Sequence, residues 1–170
     1  MSNIAIIYKS KTGYTKKYAQ WLSERTGGDL LTGNINADNL KKYDTIIYGG
    51  GLYAGKINGI KLITKNYNVL KDKKIIVYCV CLSPSKQEVI DKLRKDNFKD
   101  DMNINFFMLR GGFDYSKCTS IDKFLMNILK AVIKNKKEKD AEEKSMLAAF
   151  EKPIDMTNIK NIEPILDSLN

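Results

Sequence analysis

Three hydroxyl side chains and a glycine fall within six residues: Ser10, Thr12, Gly13 and Thr15. Hydroxyls donate hydrogen bonds without ionising, so the set suits an anion such as phosphate if backbone N–H groups converge on the same place. The flanks supply that geometry. Residues 4–8, Ile-Ala-Ile-Ile-Tyr, are a short apolar run of strand type. Tyr14, Tyr18 and Leu22 then recur at helical spacing. A strand, a hydroxyl-rich turn and a helix aim free N–H groups and the positive helix end at one spot. The plainer reading is a turn whose Ser and Thr cap the helix; the crowding of hydroxyls favours the anion site. The turn has neither the Gly-x-x-x-x-Gly-Lys-Ser/Thr of a Walker loop nor the Gly-x-Gly-x-x-Gly of a dinucleotide turn.

A second unusual stretch follows the apolar run Thr45-Ile46-Ile47-Tyr48. Gly49, Gly50 and Gly51 end that run, and Leu52, Tyr53, Ala54 and Gly55 lead on to Gly59. So many glycines are entropically costly. They imply a sharp turn, a flexible surface loop or a planar group against the backbone; the position after a strand favours the last.

The chain has 170 residues, no histidine and a net charge of +9. Without histidine there is no Ser-His-Asp or Cys-His catalysis and no histidine-ligated metal. Cys79-x-Cys81 lacks the spacing of redox or zinc motifs and reads, with Cys118, as structural thiol. The positive charge favours anionic partners, but the lysines are scattered and do not interleave with aromatics, so nucleic acid is not expected. The N-terminus enters a strand at once, without a signal peptide, which places the protein in the cytoplasm.

Further along, Gly27-Gly28 stops the first helix, and residues 29–32 read as a short edge strand. Ile60, Ile63, Tyr67 and Leu70 mark one helix face. Residues 74–81 form another apolar strand, and Ser85-x-x-Glu88 reads as a capping box for a helix with inner residues Val89, Ile90 and Leu93. Residues 104–109 are a fifth strand, ended by Arg110, Gly111 and Gly112. A last helix spans about residues 158–169. Alternating β and α with near-continuous apolar strands means a parallel sheet covered on both faces. A receiver domain would need acidic residues after strand one and an aspartate ending strand three, where Lys9-Ser10 and Gly49-Gly50 stand. The expectation is one α/β domain over residues 1–170, doubly wound, with five strands in the order 2-1-3-4-5. Its ligand lies beyond strands one and three.

Ile121, Phe124, Leu125, Ile128, Leu129, Val132 and Ile133 form a strong helical stripe, with Ser120 as its N-cap. Asp122, Lys123, Asn127 and Lys130 interrupt it, so it does not span a membrane. Core packing is the expected fate of the stripe; the neighbouring lysines keep a lipid surface or a partner open.

Ser10-Lys11-Thr12-Gly13-Tyr14-Thr15 resembles the flavodoxin phosphate loop, Thr/Ser-x-Thr-Gly-x-Thr, in its usual place after the first strand. Gly111-Gly112-Phe113-Asp114-Tyr115-Ser116-Lys117, followed by Phe124-Leu125-Met126, is similar to the flavodoxin-domain branch that includes the menaquinone-dependent protoporphyrinogen oxidases. That branch has an inserted helix after strand five and an Asp-Trp pair before the last helix. Asp155 fits the pair; Met156 stands where tryptophan is expected. The resemblance implies a flavodoxin-like fold with FMN as cofactor. Its phosphate would rest on Ser10, Lys11, Thr12, Gly13, Tyr14 and Thr15. Leu52, Tyr53, Ala54 and Gly55 would edge the isoalloxazine, with Tyr53 stacking on it; Cys81, Leu82 and Ser83 would line its other side, and Gly111 and Gly112 would bring up a third loop. The implied function is an FMN oxidoreductase acting on a quinone- or porphyrin-type substrate, with residues 115–150 available for peripheral membrane contact. The alternative is a flavodoxin-type electron carrier, against which the basic charge argues.

Overall fold

Alternation along the strands explains the layering. In the computed structural model, which describes residues 3–169, Ala5 and Ile7 of β1 (Ile4–Lys9) point to one side of the sheet and Ile6 to the other. The same split recurs in β3 (Thr45–Tyr53), after the short β2 (Asp29–Leu31): Ile46 and Tyr48 face one way, Ile47 the other. A brief return strand β4 (Lys56–Ile57) precedes β5 (Lys74–Cys81) and β6 (Asn105–Arg110). The sheet order is β2-β1-β3-β5-β6, all parallel, with β4 paired antiparallel to β3. Counting the parallel strands alone, this is the doubly wound order 2-1-3-4-5. A separate ribbon pairs β7 (Gly112–Phe113) with β8 (Ile154–Asp155).

On one face lies α1 (Tyr14–Thr26), which buries Tyr14, Tyr18 and Leu22 and stops at the left-handed Gly27. The C-terminal helix packs beside it through Ile162 and Ile165. It is a 3-10 turn, Ile159–Ile162, followed by a short α-helix, rather than one continuous helix. The other face is covered by one-turn helices α2 (Ala37–Leu40), α3 (Lys61–Thr64) and α4 (Tyr67–Leu70), then α5 (Gln87–Asn97). Ile60, Ile63, Tyr67 and Leu70 are all buried as expected, but the helix breaks between Thr64 and Tyr67. The expected capping box at Ser85 does not form. Lys86 is the N-cap of α5 without a side-chain bond, and the Ser85 hydroxyl donates to the Met108 carbonyl at 2.8 Å.

The inserted segment departs most from expectation. α6 (Ser120–Asn135) and α7 (Ala141–Ala149) precede β8, and α8 (Glu163–Asp167) ends the described chain. Thr119, not Ser120, is the N-cap of α6, its hydroxyl accepting from Asp122 N at 3.2 Å. The apolar stripe is not core. Ile133 is buried at 3% exposure, but Ile121 is 74% and Phe124 65% exposed. Leu125, Ile128, Leu129 and Val132 are exposed with them. α6 instead holds to the protein by its polar side. Asp122 pairs with Lys11 at 2.6 Å, Tyr115 Oη donates to Asn127 at 3.0 Å, and Lys123 and Lys130 lie over the rings of Tyr115 and Phe150. These contacts fix the helix's rotation and turn the stripe away from the sheet.

Candidate ligand site at the carboxyl edge of the sheet

Parallel register brings four strand ends to one edge. Lys9 lies beside Gly50, Gly51 beside Val80, and Cys81 beside Arg110. The loops that leave these strands are those containing Ser10, Leu52, Cys81 and Gly111, so all four predicted segments share one rim.

The first loop is built to receive an anion. Ser10 Oγ accepts from Gly13 N at 3.0 Å and ties the turn to itself. Gly13 has φ 98°, a left-handed conformation that residues with a Cβ rarely adopt. The first hydrogen bond of α1 runs from Lys17 N to Gly13 O at 3.0 Å. Ahead of it, the N–H groups of Tyr14, Thr15 and Lys16 have no acceptor among the described residues, and α1 has no side-chain cap. These are the orphan donors of a helix start. Thr15 is only 3% exposed, yet its hydroxyl makes no hydrogen bond among the described residues. No side-chain polar atom among the described residues is both fully enclosed and unpaired, so this hydroxyl opens outward. Thr12 is half-buried beside it. Tyr14 plays a different part: its ring packs inward, where a Cβ on Gly112 would collide with it.

The second segment is not a loose loop. β3 continues through all three glycines to Tyr53 and turns back at Ala54 (φ 47°) and Gly55 (φ 76°). Two successive positive φ values make the tight turn that matches strand twist. The glycine run has an internal cause. A Cβ on Gly49 would overlap the Tyr78 ring, and one on Gly50 would lie 2.6 Å from Ile57 Cγ2. A planar group does lie against this backbone at Gly49, and it is the protein's own Tyr78 ring. Asn97, at the end of α5, pins the hairpin: its Nδ2 donates to Gly55 O and Leu93 O, and its Oδ1 accepts from Ile57 N, each at 2.9 Å.

Tyr53 stands at the rim, 37% exposed, with Lys11 Nζ 4.6 Å from its ring centroid. Its phenol is pushed up to about 12, chiefly by burial, with Asp122 and Cys118 adding to it, and is protonated at neutral pH. Lys11 therefore sits among the phosphate-type loop, the Tyr53 hairpin and Asp122 of α6. Leu82 O accepts from Arg110 at 3.2 Å, and Cys81 Sγ donates to Ser83 O at 3.7 Å, so this loop is tethered at both ends. The neighbouring Cys79 thiol holds the Cys81 thiol below its ordinary range, while Cys79, buried beside Cys81, is pushed up. Gly111 N donates to Cys81 O at 2.7 Å, and Gly111 O accepts from Met156 N at 2.9 Å. The third loop thus packs on Val80 and Tyr14.

Nearby cations are engaged within the protein: Lys56 Nζ donates to Asp96 O, and Lys117 pairs with Asp114 at 3.3 Å. Asp155 receives Lys17 at 3.0 Å. Burial pushes its carboxyl up, but hydrogen bonds from Thr157 and Lys17 outweigh this and hold it below the usual range. Sequence reading missed Asn97 and Asp122. The pattern Thr119-x-x-Asp122, a helix-start signature, was the available signal for Asp122; nothing local marks Asn97. Two clefts of about 440 and 480 Å³ lie elsewhere on the surface, and neither is lined by any residue of this rim. The rim can hold a tetrahedral oxyanion at one end, with a tyrosine and a thiol further along.

A family model described as flavodoxin domain matches residues 5–140. Among solved structures, a provisionally named flavoprotein from Bacteroides eggerthii is 20% identical, with a TM-score of 0.49 over 80% of this chain and 100% of that one. A flavodoxin, WrbA-like protein from Agrobacterium tumefaciens is 17% identical, with a TM-score of 0.45 over 72% of this chain and 88% of that one. A flavoprotein from Lactobacillus acidophilus, solved in complex with FMN, is 17% identical, with a TM-score of 0.37 over 65% of this chain and 93% of that one. No curated protein matched the sequence.

Proposed function

We infer function from one premise: this chain belongs to the flavodoxin-domain family. We propose that it binds FMN and acts as an oxidoreductase on a planar quinone- or porphyrin-type substrate. One observation carries the cofactor reading: the turn before α1 gathers three unpaired N–H groups and the outward Thr15 hydroxyl at the carboxyl edge of the sheet. That donor set fits a phosphate and has no second, dinucleotide-type turn beside it.

In this reading Ser10, Lys11, Thr12, Gly13 and Thr15, with the N–H groups of Tyr14 and Lys16, hold the phosphate, while the Tyr14 ring anchors the start of the helix from below. Leu52, Tyr53, Ala54 and Gly55 edge the ring on one side; Cys81, Leu82 and Ser83 edge it on the other, with Gly111 and Gly112 behind. Bound FMN supplies the redox chemistry that these side chains lack. The chain's own part is orientation. Asn97 fixes the hairpin that carries Tyr53, and Arg110 fixes the loop at Leu82. The Tyr53 phenol stays protonated at neutral pH, so the aromatic side chain that would meet the ring is uncharged. The substrate assignment rests on the inserted segment that reaches Lys11 and on the resemblance of residues 111–117 to the protoporphyrinogen oxidase branch.

Purification tests both parts. The protein is expected to be yellow, to release FMN rather than FAD on denaturation, and to turn over protoporphyrinogen with a quinone acceptor. A colourless protein that does not take up added FMN overturns the cofactor reading. A flavin-loaded protein that reduces a redox protein but turns over neither small substrate supports the electron-carrier alternative.

A further inference from the structure

We propose that α6 is the docking element for an anionic lipid surface, lying flat in the headgroup region with Ile121, Phe124, Leu125, Ile128, Leu129 and Val132 inserted. The starting observation is its orientation. The helix spends its polar side on the protein, through the Lys11–Asp122 pair, the Tyr115–Asn127 bond and two lysine–aromatic contacts. Six large apolar side chains are left facing outward. Six of the nine exposed large hydrophobics of the described residues are on this one helix. Scattered exposed hydrophobics need no explanation, but a contiguous ridge of them does.

Length, charge and position select the occupant. Sixteen residues make a helix about 24 Å long, too short and too polar on one side to cross a bilayer but suited to its interface. The only carboxylate on α6, Asp122, is already paired with Lys11. Beyond the ridge come Lys134, Lys136, Lys137 and Lys139; Lys136 is paired with Glu143, which leaves Lys134, Lys137 and Lys139 against Glu138 in this stretch. A second copy of the chain would bring the same net charge of +9 against this face, whereas acidic headgroups complement it. The first turn of α6 is joined through Lys11 to the Tyr53 hairpin. Docking would therefore set the rim of the site next to the membrane.

The test is co-sedimentation of the full-length protein with vesicles of phosphatidylglycerol and phosphatidylcholine, compared with pure phosphatidylcholine, together with sedimentation velocity without lipid. Strong binding to the anionic vesicles and much weaker binding to the neutral ones are expected. Phe124→Gln with Leu125→Gln should lower the partition coefficient at least about tenfold. Lys134→Gln with Lys137→Gln should lower it about twenty-five-fold on anionic vesicles alone, each lysine near such a surface contributing roughly fivefold. The substituted side chains are exposed, so near-UV circular dichroism should match the wild type. Binding that is absent, or equal on both vesicle types, overturns the proposal. So does a stable dimer that Phe124→Gln/Leu125→Gln dissolves, which would assign the ridge to a second copy. None of these readouts requires bound flavin, so the outcome stands apart from the cofactor assignment.

Discussion

Replacing Asn97 with alanine should loosen the Tyr53 hairpin without changing the identity of any residue of the rim. Asn97 makes three side-chain hydrogen bonds at 2.9 Å, to Gly55 O, Leu93 O and Ile57 N. Each such bond contributes about 1 kcal/mol net, and a buried donor left without a partner costs about 1–3 kcal/mol. Ile57 is nearly fully buried, so its N–H becomes that orphan. The expected loss is about 2–4 kcal/mol, a large share of the roughly 5–15 kcal/mol that stabilises an ordinary domain. Urea unfolding should show a lower midpoint with an unchanged slope. Amide exchange at Ile57 should accelerate more than exchange in β5. Asn97→Asp keeps the acceptor for Ile57 N but loses both donated bonds, and should fall between wild type and alanine. FMN and riboflavin affinities should drop together, because the hairpin serves the ring and not the phosphate. An alanine variant within about 0.5 kcal/mol of wild type, with Ile57 exchange unchanged, would refute the role assigned to Asn97.

Thr12→Ala with Thr15→Ala should weaken FMN binding by one to two orders of magnitude or more, since bonds to a charged group contribute roughly 1.5–3 kcal/mol each; riboflavin should lose far less, and equal losses would mean that the hydroxyls serve the fold. Gly49→Ala should destabilise by about 3 kcal/mol or more, because its methyl group overlaps the Tyr78 ring in a filled core; an unchanged melting temperature would show that the Tyr78 ring has room to move. Hydrogen bonds from Lys11 and Thr119 hold the Asp122 carboxyl below the ordinary carboxylate range. A depressed folded value means that the pair's contribution is complete above the unfolded value near pH 4 and is lost as pH falls through the lower folded one. Stability measured between pH 5 and 2 should therefore carry an acid-sensitive component that Asp122→Asn removes, and identical profiles for the two proteins would contradict it.

The layered core was readable because a parallel strand buried on both faces is apolar at every position, as in residues 4–8 and 45–48. The turn at Ser10 was readable because hydroxyls and a glycine between strand and helix are local signals. Gly49, Gly50 and Gly51 were harder. Their partners, Tyr78 and Ile57, come from other strands, so the sequence records a need for space without saying what fills it. The helical stripe of α6 was visible for the same reason as that of α1, since periodicity reports that an apolar face exists. It does not report where the face points. That is decided by Tyr115, Phe150 and Lys11, partners that come from outside the helix. Asn97 was invisible because its bonds to Gly55 and Ile57 span about forty residues.

The central claim is that the turn of Ser10, Thr12, Gly13 and Thr15 holds the phosphate of FMN. Titrating the flavin-free protein with FMN and with riboflavin, following the quenching of flavin fluorescence, tests it most directly. The two ligands share the ring and differ in the phosphate alone. With several charge-assisted hydrogen bonds available, each contributing roughly 1.5–3 kcal/mol, FMN should bind at least about a hundredfold more tightly. Inorganic phosphate should compete with FMN and leave riboflavin unaffected. Equal affinity for the two flavins, or no binding of either, would contradict the account.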